Sequence, residues 1–521
     1  RDLVDCDQLG SRLMDNLLSI TIFIPAIAAA ILGTFLSGDD AEARGNAKWV
    51  AFIATSMTFI VSLFIVFEFD PGDGGFQYVE EKDWPLGLTY KVGVDGISLA
   101  LVMLTTFLMP LVIAASWKHE DRTKGFVIAL LCLETMLLGT FLALDLVVFF
   151  VFAEGALIPL MVVLGIWGGD NGRVSALRLM FTALPGASLL VVAMAAMAFD
   201  AQTTDIEALT THQFNAEPLS LLGVEVSGGA QTLMALAFML SFASKLPLWP
   251  MHAWVQETYA RVPTGAAMVM AALFVKIGAY GALRFLYPIL PEGTVVLAPI
   301  LVWLSVITLI YAATAALVQT NLMRLLAYAG VAHMALVTLG IFSANQQGID
   351  GAIFQMVSHG VMISALMMSV GVLYDRANSH DVKAFGGIAT RMPVFAFGTM
   401  MFIFAGLGVP GTSGFAALFL TMVGAFQAHA LAAVLAMLGM VISAAALLSM
   451  YKRVVFGPLI KQNLKSISDL DRREKAVFTA LLVMILYLGL FPGLVTDVTG
   501  ASVEAVLAGY EQAELTTDEV Q

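Results

Sequence analysis

Continuous apolar runs of about 20 residues recur along nearly the whole chain, separated by short polar stretches. Each run has about the length a helix needs to cross a hydrocarbon core of about 30 Å. The runs do not alternate in polarity and are rich in Ala, Leu, Met and Val, which favours helices over barrel strands. The pattern predicts helices at 17–36, 49–69, 95–117, 125–143, 145–167, 178–199, 230–250, 264–287, 296–318, 325–342, 352–373, 393–427, 429–452 and 475–493. Segment 393–427 holds Gly406, Gly408, Pro410, Gly411 and Gly414, so it reads as an interrupted span or a re-entrant pair. Segment 230–250 is broken by Pro247, which leaves the carbonyl of Ala243 without its helical donor. The fold class expected is therefore an all-α integral membrane protein of about fourteen transmembrane helices, two of them broken.

Composition agrees. Hydrophobic residues make up 59% of the 521 and charged residues 12%, against about 25% charged in a soluble domain. Basic residues test the alternation of the loops. With both termini outside, nineteen fall on the inner side and five on the outer: Arg1, Arg12, Lys82, Lys91 and Arg284. The net charge of -13 then lies mostly in outer loops and argues against a nucleic-acid partner. Cys6 and Cys132 are far apart and suggest neither a disulfide framework nor a metal site. Residues 1–13 are polar and lack the features of a signal peptide; Met14 reads as the start of the first helix.

Two lysines, Lys245 and Lys276, remain within apolar spans, with Glu134, Glu154, His333 and His359. A charge at a helix centre costs about 2.5–3.5 kcal/mol, so such groups face the bundle interior, pair, or line a water path. One Lys–Glu pair alone would fit a clamp between helices. Six ionisable groups in one chain fit proton transfer better. Lys245 lies beside the Pro247 break, where polar backbone is available, and Glu154 is its expected partner. At about 4 Å and an effective dielectric near 20, that pair contributes roughly 4 kcal/mol, so forming and breaking it is a means of moving a proton.

The two breaks occupy corresponding places in two five-helix blocks, which suggests repeats of inverted topology. The expected organisation is 14–143 for the N-terminal helices, 125–287 and 296–452 for the two repeats, 475–493 for the last helix and 494–521 for an acidic tail.

At these residues the chain resembles the subunit M family of bacterial NADH:quinone oxidoreductase (respiratory complex I; subunit 4 in mitochondria). The resemblance runs from Met14 to about Leu507. It rests on Gly93-Val94-Asp95-Gly96-Ile97-Ser98, the Glu154 helix ending in Gly165-Ile166-Trp167-Gly168-Gly169, Lys245-Leu246-Pro247, Lys276-Ile277-Gly278-Ala279-Tyr280-Gly281, Ala332-His333-Met334, Ser358-His359-Gly360 and Leu407-Gly408-Val409-Pro410-Gly411. It implies an antiporter-like membrane-arm subunit that translocates protons. A fifth-helix Glu (Glu154) would pair with a seventh-helix Lys (Lys245), and an eighth-helix Lys (Lys276) would act as central relay. His333 and His359 would lie on the polar axis, and Glu134 matches a fourth-helix acid of some members. It also implies other membrane-arm subunits, lipid, protons and channel water as partners. No cofactor or metal is expected on this chain, with flavin and iron–sulfur clusters in partner subunits. The expected location is a bacterial cytoplasmic membrane or the mitochondrial inner membrane.

Departures matter. Where the family carries a twelfth-helix acid this chain has Leu418, and the stretch after the seventh helix reads Trp254-Val255-Gln256-Glu257-Thr258-Tyr259. The end of the proton path is thereby put in question, and a structural membrane-arm subunit is one alternative. A subunit of a multi-component cation/proton antiporter is another, since it shares the Glu–Lys–Lys skeleton. Subunit L is disfavoured because it needs a long lateral helix, whereas about 28 residues follow Gly493. A bis-histidine haem on His333 and His359 is a remote reading that nothing else supports.

Overall fold

The computed structural model describes residues 16–520 except 37, 39, 85–87, 222–223 and 460. Arg1, Cys6, Arg12 and the polar leader lie outside the described residues. The principal helices are α1 (Leu17–Phe35), α2 (Ala41–Glu68), α3 (Gly96–Ala115), α4 (Thr123–Leu142), α5 (Leu146–Trp167), α6 (Gly172–Ala201), α7 (Gly229–Lys245), α8 (Thr264–Ile289), α9 (Pro291–Leu317), α10 (Leu322–Ile341), α11 (Gln346–Ala377), α12 (Pro393–Leu407), α13 (Ser413–Ala428), α14 (Ala430–Val455), α15 (Arg472–Leu490) and α16 (Gly493–Val520). Among the described residues, eleven uninterrupted helices are long and apolar enough to span, and the bent pair α15–α16 makes a twelfth. The shorter α7, α12 and α13 are the helices at the two interruptions.

Each interruption has a local cause. The helix expected over 230–250 stops at Lys245, because Pro247 cannot donate to the preceding turn. The indole N–H of Trp254 donates to the carbonyl of Ser244, one residue on from Ala243, at 2.8 Å, satisfying another of the carbonyls left open at the helix end. Between α12 and α13 the chain turns through Gly408 at φ +72°, a left-handed helix end that costs glycine little. Two small hairpins lie in the loops, β1 (Gln77–Trp84) with β2 (Leu88–Val94) and β3 (Leu219–Leu221) with β4 (Val224–Val226).

The acidic segment after 493 is a helix. α16 bends 63° from α15 and lies over helix ends on one side of the bundle. Ser502 Oγ accepts from Gly96 N at 2.9 Å, and Gln346 Nε2 donates to the carbonyl of Gly500 at 3.2 Å. Tyr510 packs on Tyr287 with ring centroids 5.2 Å apart. Val503, Leu507 and Tyr510 are buried while Glu504, Glu511 and Glu514 face outward, the 3.6-residue periodicity of a surface helix.

The charge count needs one correction. Arg284 is not a loop residue: it is buried in α8 and donates to Asp95 Oδ1 at 2.8 Å. Asp95 also caps α3 by accepting from Ser98 N. Lys91 is likewise buried, bridging Asp205 and Glu207 at 2.6 Å each. On the opposite, basic side, buried Glu474 accepts from both Lys118 at 2.7 Å and Arg376 at 2.6 Å, tying the ends of α3, α11 and α15 together.

Candidate functional site

Lys245 is the last residue of α7, where the helix dipole favours a cation. Its Nζ donates to Glu154 Oε1 at 2.6 Å, and the lysine side chain is 2% exposed. Glu154 lies near the middle of α5, and its second oxygen, Oε2, is buried with no protein partner. The pair is therefore charge-assisted but incompletely satisfied, which leaves the carboxylate able to take a further donor.

The second lysine is reached through backbone contact. Gly278 of α8 lies so close to the end of α7 that a Cβ there would fall 2.4 Å from the carbonyl oxygen of Phe242. Two residues earlier, Lys276 follows a π-helical turn over Met270–Phe274, a distortion often found at functional sites. Its side chain leans back along the helix. Nζ lies 2.7 Å from His359 Nδ1, 3.5 Å from Met334 Sδ and 3.4 Å from the carbonyl of Ala271. With the lysine donating, His359 accepts at Nδ1 and carries its own proton on Nε2. Gln355 Nε2 lies 2.9 Å from His333 Nδ1, and the two imidazole centroids are 5.5 Å apart. The rings are adjacent and both Nδ1 atoms are engaged, so no haem plane fits between them.

The Nε2 atoms of both histidines are buried without protein partners. Both residues line a closed space with Gly406, Gly408, Gly414 and Leu418, in which packing leaves no volume for the centre of a water molecule. Leu418 thus faces the histidine cluster across the α12–α13 break. Glu134 stands apart: it is fully buried in α4, and neither carboxyl oxygen meets a partner among the described residues. Of the six expected groups, the fold joins Glu154 to Lys245 and Lys276 to His359, sets His333 beside His359, and leaves Glu134 alone.

A further buried polar group was not among the expected ones. Arg284 donates to Asp95, to Ser98 Oγ at 3.0 Å and to Tyr280 Oη at 3.2 Å, and its guanidinium lies 4.7 Å from the Phe76 ring centroid. The available signal was its place inside the expected helix 264–287. On the basic side a cavity of about 650 Å³ is lined by His119, Asp121, Arg261, Asp375 and His380, among others. Burial holds the His119 and His380 imidazoles below their usual range, His380 at about 4. No cluster among the described residues has the make-up of a metal site.

A polytopic helical bundle with two interrupted helices and a buried chain of Glu, Lys and His defines the antiporter-like class of membrane subunit. The family described as NADH:quinone oxidoreductase/Mrp antiporter matches residues 143–443, and the amino-terminal family of NADH-ubiquinone oxidoreductase chain 4 matches 43–140. The chain is 48% identical to NADH-quinone oxidoreductase subunit M of Rhodobacter capsulatus, over 95% of this chain and 97% of that one. It is 37% identical to chain 4 of Marchantia polymorpha, over 91% and 94%. A chain of respiratory complex I from Thermus thermophilus superposes with a TM-score of 0.85 at 26% identity, covering 95% of this chain and 99% of that one. The chain belongs to the subunit M (chain 4) family of NADH:quinone oxidoreductase.

Proposed function

We propose that this chain is a proton-translocating, non-redox subunit in the membrane arm of NADH:quinone oxidoreductase. It would couple quinone reduction elsewhere in the complex to proton transfer through Glu154, Lys245, Lys276, His359 and His333, with Glu134 as an accessory acid. The observation that carries this reading is the Glu154–Lys245 pair at the broken end of α7. A pair so placed has two stable states: closed, with the charges neutralising each other, or open, with Lys245 turned toward Lys276 and its proton displaced by repulsion. The close approach at Gly278 keeps the two lysine-bearing helices in register for that exchange.

On this reading, α4–α8 and α9–α14 are two inverted repeats, both termini face outside, and the basic side faces inward in a bacterial cytoplasmic or mitochondrial inner membrane. Flavin and iron–sulfur centres belong to partner subunits, and other membrane-arm subunits flank the chain. Leu418 supports a second reading, a structural subunit with impaired proton exit, because it closes the space beside the histidines.

The test uses the assembled complex in proteoliposomes. Glu154→Ala is expected to lower the proton-to-electron ratio and coupled turnover together while assembly persists, and Glu154→Asp to be milder. An unchanged ratio at normal assembly would support the structural reading instead.

A further inference from the structure

Away from the charged axis, a cleft of about 290 Å³ opens on the lateral face of the bundle, and every residue lining it is apolar. Phe59 and Leu63 of α2, Met103 and Leu104 of α3, Val361 of α11 and Leu488 of α15 form its walls, and the start of α16 closes one end. Ile60, Phe64, Val483 and Tyr487, beside the wall residues on α2 and α15, are each roughly half exposed, which places the mouth on the outer, membrane-facing surface. We infer that this cleft is a lipid site that takes one acyl chain of a zwitterionic, amine-bearing phospholipid from the leaflet on the acidic side.

Three observations select that occupant. The first is depth. The wall runs from Leu99, one turn inside the acidic-side end of α3, to Phe107, about 12 Å along the helix. The cleft therefore ends near the middle of a core of about 30 Å and matches one leaflet. The second is shape. The volume of about 290 Å³ is drawn out along about 12 Å, an elongated groove that suits an extended alkyl chain. The third is charge. The segments that lead out of the cleft at its polar end, 67–75 and 494–498, carry Glu68, Asp70, Asp73 and Asp497 and no Lys or Arg. That rim attracts an ammonium headgroup and repels an anionic one.

The site also touches the relay. Leu104 lies against Gly360, where a Cβ would come within 2.7 Å of Leu104 Cδ2, and Gly360 follows His359 directly. A chain filling the cleft therefore braces the wall of α11 behind that histidine. Apolar cavities of this kind stay dry and accept apolar guests.

The experiment takes the assembled complex from nanodiscs holding equal phosphatidylethanolamine, phosphatidylglycerol and cardiolipin, strips it in detergent, and counts retained lipids by native mass spectrometry. The wild type is expected to keep one phosphatidylethanolamine per copy of this chain, at least about tenfold over either anionic lipid. Ala100→Phe, which fills the cleft from α3, is expected to lose it. Equal retention by the variant, or equal retention of anionic lipid, would overturn the assignment. Should the variant fail to assemble, wild-type complex supplied with phosphatidylethanolamine brominated in its acyl chains gives the answer by electron microscopy. Bromine density in the cleft supports the site; a neighbouring subunit's side chains or a quinone tail there refutes it. None of these outcomes depends on proton pumping, so the two readings stand or fall separately.

Discussion

Leu418 lies against Gly408 across the α12–α13 interruption, so close that a Cβ on that glycine would come within 2.9 Å of Leu418 Cδ2. The leucine therefore occupies the room between the broken backbone and the two histidines. An acid restored here would have to displace packed atoms, and no Lys or Arg lines the space to pair with it. Leu418→Glu is expected to destabilise the subunit by about 2.5–3.5 kcal/mol, the cost of an unpaired charge at membrane depth. It should appear as a lower yield of assembled complex with no rise in the proton-to-electron ratio. A raised ratio at full assembly would show that the space opens to water.

Lys276 gives a sharper distinction between a carrier and a fixed charge. It is fully buried with its Nζ 2.7 Å from His359 Nδ1, so it can pass a proton on only if it can release one. Arginine keeps the charge but does not release it. Lys276→Arg is expected to abolish coupled pumping nearly as fully as Lys276→Ala, measured by acidification of the vesicle lumen during NADH oxidation. Normal pumping by the arginine variant would reduce Lys276 to an electrostatic fixture.

The Arg284–Asp95 pair should behave as a structural joint. Removing one partner strands the other, at about 3–5 kcal/mol, whereas removing both charges costs less. Arg284→Gln is expected to lower the thermal inactivation midpoint of the complex more than Arg284→Gln with Asp95→Asn, since asparagine retains the cap on α3. Additive losses in the double variant would show that the two side chains do not interact.

His380 supplies a pH dependence. Its imidazole is depressed to about 4 in the fold, against about 6.5 in an open chain. Above pH 6.5 both states are neutral and nothing changes. As pH falls from 6.5 toward 4 the unfolded chain gains a proton that the fold refuses, so stability is lost across that window. From pH 7 to 5 the loss is on the order of 1–2 kcal/mol, allowing for partial exposure. Inactivation midpoints at the two pH values should differ less in His380→Gln than in the wild type.

The spans were legible because a bilayer demands long apolar helices. Glu154 and Lys245 were legible because charges inside such helices need partners. Arg284 was not, because it lies near the end of its apolar run, where a long side chain reaches the interface as readily as it turns inward. Its direction depends on Asp95, which is 189 positions away. The segment after Gly493 read as a tail because its acids dominate its composition. Yet Val495, Thr499, Val503, Val506 and Tyr510 already had helical spacing, and only the helix ends beneath them make that face a buried one. The π-helical turn before Lys276 has no signature in residue type; it arises from how α8 packs among its neighbours.

The contact at Gly278 has a mechanical consequence. Where helices meet through side chains, rotamers absorb small displacements and each element shifts with some independence. At Gly278 the backbone of α8 lies directly against the carbonyl of Phe242 in the last turn of α7, so at that point no side chain of α8 is there to yield. The contact leaves little slack at that point. On the proposed function, a rotation of that turn that freed Lys245 from Glu154 would press on α8 two residues from Lys276, coupling the two lysines mechanically.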